Sequence, residues 1–293
     1  MARWTIRSTA ITTAVSLMLC SLWYERQEDL QYQDLVVETF HSRSAGQGVA
    51  TTQANAVLLL HEVHHVVTEK VKEMGENRSM EGRLFWSPGD HLRHPGGACA
   101  SYSTVLAKAL QTAGFAVRKV GLSSGGTKAI HHVVEALADG HWMLMDASFD
   151  LTFDASNGLK ASAKDVGANW AKYRKQTPPN YTAIYNYSGF YYTNWDRIYG
   201  AGLAFKLLPA LKHWVDVHEV SLRFVFLNVW NWMAVFWGAL AVFMILVQPR
   251  RERRHWPFAL ASSESYHGTR KIFPVDGSRA NEPEGSPSTS RVL

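Results

Sequence analysis

The sequence predicts an α+β domain carried by membrane-crossing helices. Helix-period segments come first and strand-like segments follow, with Asp139-Gly140 separating two of the strands. A charge-free apolar run, Phe224 to Val247, stands near one end, and a shorter apolar stretch, Ser8 to Tyr24, near the other. Of the 293 residues 46% are hydrophobic, enough for one sizeable domain and its accessory segments.

Residues 1–24 read as an uncleaved signal anchor. Arg3 and Arg7 precede the apolar stretch, and no small-x-small cleavage pattern closes it. Residues 25–220 are expected to form one exported domain with its core at about 51–155. Within it Ala54 to Met74 repeats apolar residues at helical spacing. Ser87-Pro88-Gly89-Asp90 is a turn and Pro95-Gly96-Gly97 a second break. A helix then runs from near Ala98 to Thr112, ended by Gly114. Strands are expected at Ala116–Leu122, Ala129–Ala138 and His141–Ser148, the last two joined by a two-residue hairpin turn. A loop-rich region containing Pro178-Pro179 follows, then an aromatic stretch at Tyr185–Tyr192 and an amphipathic helix near Ala204–Val217.

Residues 222–247 read as a transmembrane helix. At about 1.5 Å per residue the charge-free run reaches across a hydrocarbon core of roughly 30 Å. Arg250, Arg251, Arg253 and Arg254 follow at once, so the positive-inside rule puts that end in the cytoplasm and residues 25–220 on the periplasmic or extracellular side. Residues 248–293 form a tail rich in Ser, Gly, Pro, Glu and Arg. It buries too little apolar surface to offset chain entropy and reads as disordered. The same arginine cluster supplies much of the net charge of +5. No basic stripe interleaved with aromatics exists, which excludes nucleic acid as a partner. No internal repeat is present.

The chain has two cysteines. Cys20 lies in the apolar N-terminal segment and Cys99 in the exported region, so Cys99 is a lone thiol in an oxidising compartment, either reactive or a buried inert hydrophobe. Its position favours reactivity. A Gly-Gly break puts it in the first turn of a helix, where unpaired N–H groups and the helix dipole favour a thiolate and can stabilise an oxyanion.

A thiolate needs a base, and the base needs an orienting partner. If Asp139-Gly140 is a two-residue turn, Ala138 pairs with His141, Val133 with Asp146 and His131 with Ser148. His131 and Asp146 are then diagonal neighbours on one face, within side-chain reach, and His132 points to the other face.

Gly97-Ala98-Cys99-Ala100-Ser101-Tyr102-Ser103, then Gly114-Phe115 and Arg118, resembles the nucleophile motif of the transglutaminase-like superfamily and its following turn. His131-His132-Val133-Val134-Glu135 resembles that family's histidine strand, with Asp139-Gly140, Trp142 and Asp146 at the expected offsets. The likeness covers Gly96 to Asp146, about a sixth of the chain. It implies a papain-like α+β core with the nucleophile at a helix N-terminus packed on an antiparallel sheet. Cys99 would be nucleophile, His131 general base and acid, and Asp146 the group that orients the imidazole. The chain departs from the family at Val133, where an aromatic is common, and at Ala100, where a charge is common. The family also places an upstream side chain near the oxyanion, for which Trp86 and His94 are both candidates.

A competing pattern is His61-Glu62-Val63-His64-His65, which matches HExxH on a helix. His61 and His65 would be zinc ligands and Glu62 the general base of a metalloprotease. With 13 histidines in the chain such a match arises easily, and no later His or Glu supplies a recognised third ligand. A further alternative is a catalytically inactive binding or scaffold domain of the same fold. The favoured reading is a membrane-anchored thiol acyl hydrolase or acyltransferase of cysteine-protease or amidase type. Its substrate would be a protein, peptide or envelope polymer, and it needs no metal or other cofactor.

Overall fold

Two helices frame the chain. In a computed structural model, which describes residues 2–40, 49–74, 86–123, 129–193, 209–221 and 227–247, helix α1 spans Ala2–Phe40 and the last described helix, α8, spans Val229–Leu246. Ile6–Phe40 and Val229–Leu246 are both long and apolar enough to cross a membrane. They pack side by side and antiparallel. Tyr24 stacks on Trp230 with centroids 4.9 Å apart, and Gly238 lies against the Met18 sulfur. Leu19, Trp23, Phe236 and Phe243 are exposed on these two helices.

The first helix does not end at residue 24. Helix α1 continues unbroken to Phe40, and this second half joins the domain core through Tyr32, Leu35 and Val36. The Tyr32 hydroxyl donates to the Pro88 carbonyl (2.8 Å), and the Gly89 N–H donates to Glu28 Oε2 (2.8 Å). Glu25, Glu28 and Asp29 concealed this continuation, because these charged side chains bond Lys108 and the Gly89 N–H of the domain.

Helix α2 (Gln53–Met74) buries Ala56, Leu59, Leu60, Val63 and Val67, the apolar stripe expected from spacing. Helix α3 (Pro88–Arg93) starts in a capping box between Ser87 and Asp90 with Pro88 in its first turn. Gly97 follows at φ +69°, a conformation that favours glycine, and redirects the chain into α4 (Cys99–Thr112).

Strands β1 (Ala116–Leu122), β2 (His131–Ala138), β3 (His141–Asp146), β4 (Leu151–Thr152) and β5 (Phe190–Tyr191) form one antiparallel sheet in the order β4-β3-β2-β1-β5. Asp139 and Gly140 both have positive φ, as a type I′ turn requires. The register is the one that turn dictates, with Ala138 opposite His141 and Val134 opposite Met145. The third strand stops at Asp146 rather than Ser148. The Phe149 N–H bonds back to the Asp146 carbonyl and the Ser148 N–H to the Asp146 side chain, which turns the chain toward β4.

Both faces of the sheet are covered. Val134, Ala136, Ala138, Met143 and Met145 pack with α1, α2 and α4. Val120, Leu122, Val133 and Leu144 pack with Phe153, Val166, Tyr173 and Tyr187, from the segment that carries α5 (Ala163–Ala168) and α6 (Trp170–Tyr173). This α+β architecture agrees with the class expected from sequence. Helix α7 is described only as Pro209–Val217, and the remainder of the helix expected from Ala204 lies outside the described residues, as do the tail 248–293 and the start of the expected membrane run.

Candidate active site

Cys99 is the first residue of α4, and the helix has no side-chain cap at Ala98. Its first-turn N–H groups are therefore not taken by a capping side chain, unlike those of α3 and α5, where serine and aspartate close capping boxes. Both cysteines are free thiols. Cys99 is half-buried and Cys20 is exposed on α1.

His131 opens β2, and Asp146 closes β3 beside it. His131 Nε2 and Asp146 Oδ2 are 2.6 Å apart, and neither side chain is exposed at all. Parity along the strands puts His131 on the Val133 and Leu144 face, so its neighbour His132 falls on the other. The second carboxylate oxygen of Asp146 accepts the Ser148 N–H at 3.1 Å. Nδ1 of His131 is buried without a close hydrogen bond. It is the ring atom left for Cys99, and the two groups shift one another. A resting nucleophile–base contact is commonly longer than the one reached with substrate bound.

The electrostatics favour an ion pair. Burial pushes the Cys99 thiol up, but His131 and the His132 backbone N–H outweigh it, and the thiol sits below its ordinary value. Burial likewise works against a charged His131. Asp146 and Cys99 prevail and hold the imidazole up at about 9. Each group thus favours the charged form of the other, the direction of a thiolate–imidazolium pair.

Tyr181, Tyr185, Tyr187 and Phe149 complete the site, and sequence reasoning assigned none of them to it. Tyr181 donates its hydroxyl to Asp146 Oδ2 at 2.9 Å and meets the Tyr187 hydroxyl at 3.1 Å. Tyr185 stacks on the His131 ring, centroids 4.2 Å apart and planes 9° from parallel. Phe149 closes the edge of the same ring. The only sequence signal was the density of tyrosines after Pro178-Pro179. Nothing local says that this segment returns to the β2–β3 edge.

On the other side of Cys99, the Ser101 hydroxyl accepts the Gly96 N–H at 3.1 Å and meets His91 Nδ1 at 3.1 Å. Trp86 packs edge-on against that His91 ring. Of the two upstream candidates, Trp86 is therefore connected to the first turn of α4, whereas the His94 side chain is exposed at the C-cap of α3.

The HExxH residues lie on α2. His61 Nδ1 meets the Asp150 carboxylate at 2.6 Å, and His65 is exposed. Among the described residues no group of three His, Cys, Asp or Glu side chains stands together as a metal-ligand set.

No protein-family model, curated protein or solved structure matches this chain.

Proposed function

We propose that this chain is a membrane-anchored thiol acyl hydrolase of transglutaminase-like type, with Cys99, His131 and Asp146 as its triad. The observation that carries the reading is the fully buried His131–Asp146 bond of 2.6 Å, made beside a thiol at an uncapped helix start. A buried charge-assisted pair of this kind orients an imidazole toward a nucleophile.

The thiolate of Cys99 attacks the carbonyl carbon of an amide, and the π electrons move to oxygen. First-turn N–H groups of α4 stabilise that oxyanion. As the tetrahedral adduct collapses, the C–N bond breaks and the leaving amine takes the proton from His131 Nδ1. A thioester and a neutral imidazole remain. His131 then takes a proton from water as its oxygen attacks the thioester. The C–S bond breaks, the carboxylic acid leaves, and the thiolate–imidazolium pair is restored. An amine in place of water would give transamidation. Hydrolysis is preferred because no acceptor-amine site is visible among the described residues.

The antiparallel pairing of α1 and α8 supports the orientation. It brings the start of α1, which carries Arg7, to the same side as the end of α8, and the positive-inside rule favours that side as cytoplasmic. The domain then faces the periplasm or exterior, where envelope proteins, peptides and polymers are the accessible substrates.

The test is covalent labelling of the full-length protein in detergent, in a Cys20→Ser background, with a panel of peptidyl electrophiles. Stoichiometric modification of Cys99, abolished by Cys99→Ala, is expected. A folded protein whose Cys99 reacts no faster than a free thiol would overturn the reading.

A further inference from the structure

The segment from Pro178 to Tyr187 lies beyond the part of the chain that carries the motif likeness, yet its side chains reach the centre of the site. Tyr181 is the key contact. Its hydroxyl bonds Oδ2 of Asp146, the same oxygen that holds His131 Nε2. Tyr181 has one hydroxyl proton, and a carboxylate has none to give, so Tyr181 must donate here. Its oxygen then accepts from Tyr187, which fixes the direction of the chain: Tyr187 O–H to Tyr181 O–H to Asp146 Oδ2. Burial, followed by the neighbouring Tyr187 and Asp146, pushes the Tyr181 hydroxyl far up, so it stays a donor throughout the working range. Tyr187 is fully buried and is likewise pushed up by burial.

We infer that Tyr181, backed by Tyr187, is a positioning residue that sets the basicity of His131 through Asp146. This rests on the proposed Cys-His-Asp function. Three donors share the Asp146 carboxylate: His131 and Tyr181 on Oδ2 and the Ser148 N–H on Oδ1. Charge drawn by Tyr181 is not available to the imidazolium. The groups that face the pair are Cys99 from α4, Asp146 from β3, and Tyr181, Tyr185 and Tyr187 from the loop. Among these only Tyr181 touches both the carboxylate and a second donor.

The sign follows directly. Removing the Tyr181 hydroxyl concentrates the carboxylate charge on His131 and raises the pH at which the imidazolium loses its proton. Removing the Tyr187 hydroxyl makes Tyr181 a weaker donor and produces a smaller shift in the same direction.

The experiment is the rate of Cys99 alkylation by iodoacetamide as a function of pH, in full-length Cys20→Ser protein, which needs no substrate. The upper inflection reports loss of the proton from His131. Tyr181→Phe should raise it by about half a pH unit or more, the scale of a lost hydrogen bond to a charged group, and Tyr187→Phe should raise it less. Superimposable profiles in folded variants, or a downward shift, would overturn the inference. If Tyr181→Phe does not fold, the direction of the Tyr187→Phe shift decides. If Cys99 of the parent protein shows no enhanced reactivity, the proposed function itself fails, and the inference with it.

Discussion

His131 and Asp146 are 15 positions apart in sequence, meet at 2.6 Å and are wholly shielded from solvent. Their meeting depends on one turn. With Asp139 and Gly140 as a two-residue type I′ connection, the strands run back in register and both side chains fall on one face. A one-residue insertion in that turn would move Asp146 to the opposite face from His131. Such an insertion is expected to abolish Cys99 labelling while the chain still reaches the membrane, measured by probe labelling of membrane fractions.

The same parity separates the two adjacent histidines. His131→Ala is expected to lower turnover and labelling to near the Cys99→Ala level. His132→Ala should be far milder, because it is the backbone N–H of His132, not its ring, that supports the thiolate. Equal losses in the two variants, measured as labelling rates in proteins of matched expression, would refute the register-based assignment.

The raised pKa of His131 has a consequence for stability. In an unfolded chain the imidazole titrates near 6.5, and here it is held at about 9. The folded state thus binds the proton more tightly than the unfolded state. The stabilisation is fully present below about pH 6.5 and is lost as pH rises through about 9. The difference in Tm between the parent protein and His131→Gln should therefore shrink from pH 6 to pH 10. A constant difference would show that the pair does not titrate in that window.

The helix carrying Cys99, the hairpin and its register were legible because each is dictated locally, by a Gly-Gly break, an Asp-Gly turn and strict alternation. The continuation of α1 was not. Glu25, Glu28 and Asp29 look solvated in sequence, but Lys108 and Gly89 neutralise or bond them from far along the chain. Tyr181 and Tyr185 were hidden for the same reason, since a long-range loop return has no local pattern. The His61 helix is the converse case. Its HExxH spacing is real, but His61 meets Asp150 and His64 meets the Ala147 carbonyl, so both rings hold the turn that follows Asp146.

Arg118 belongs to the sheet rather than to the triad. Its guanidinium lies between the rings of Trp142 and Tyr192, at 4.0 and 4.2 Å, and pairs with the fully buried Glu135 at 2.7 Å. Glu135 also accepts the Ala163 N–H. Arg118→Lys keeps the charge but loses the planar fork and the stacking. It is expected to cost about 2 kcal/mol, read by chemical denaturation of the detergent-solubilised protein. Arg118→Ala should cost more, on the order of 3–5 kcal/mol, because Glu135 is left buried without its partner.

Lys108 joins α4 to the two long apolar helices. It lies in α4, on the helix that begins at Cys99, and only 3% of its side chain is exposed. Asp29 and Glu25 of α1 meet its amine at 3.0 and 3.2 Å, and the Asn228 side chain, beside the start of α8, at 3.4 Å. Burial works against the charged amine, but Asp29 and Glu25 prevail and raise its pKa. Removing both carboxylates by Glu25→Gln with Asp29→Asn strands that charge. The expected loss is about 3 kcal/mol, near the lower end for a broken buried pair because water screens the partly exposed Asp29. Adding Lys108→Met to the same background should recover most of it, since an apolar side chain of similar length needs no partner. Thermal unfolding in detergent measures all three proteins. If the double variant is as stable as the parent, the cluster does not hold α1 to α4. Full recovery on adding Lys108→Met would identify the stranded charge, rather than lost helix packing, as the cause.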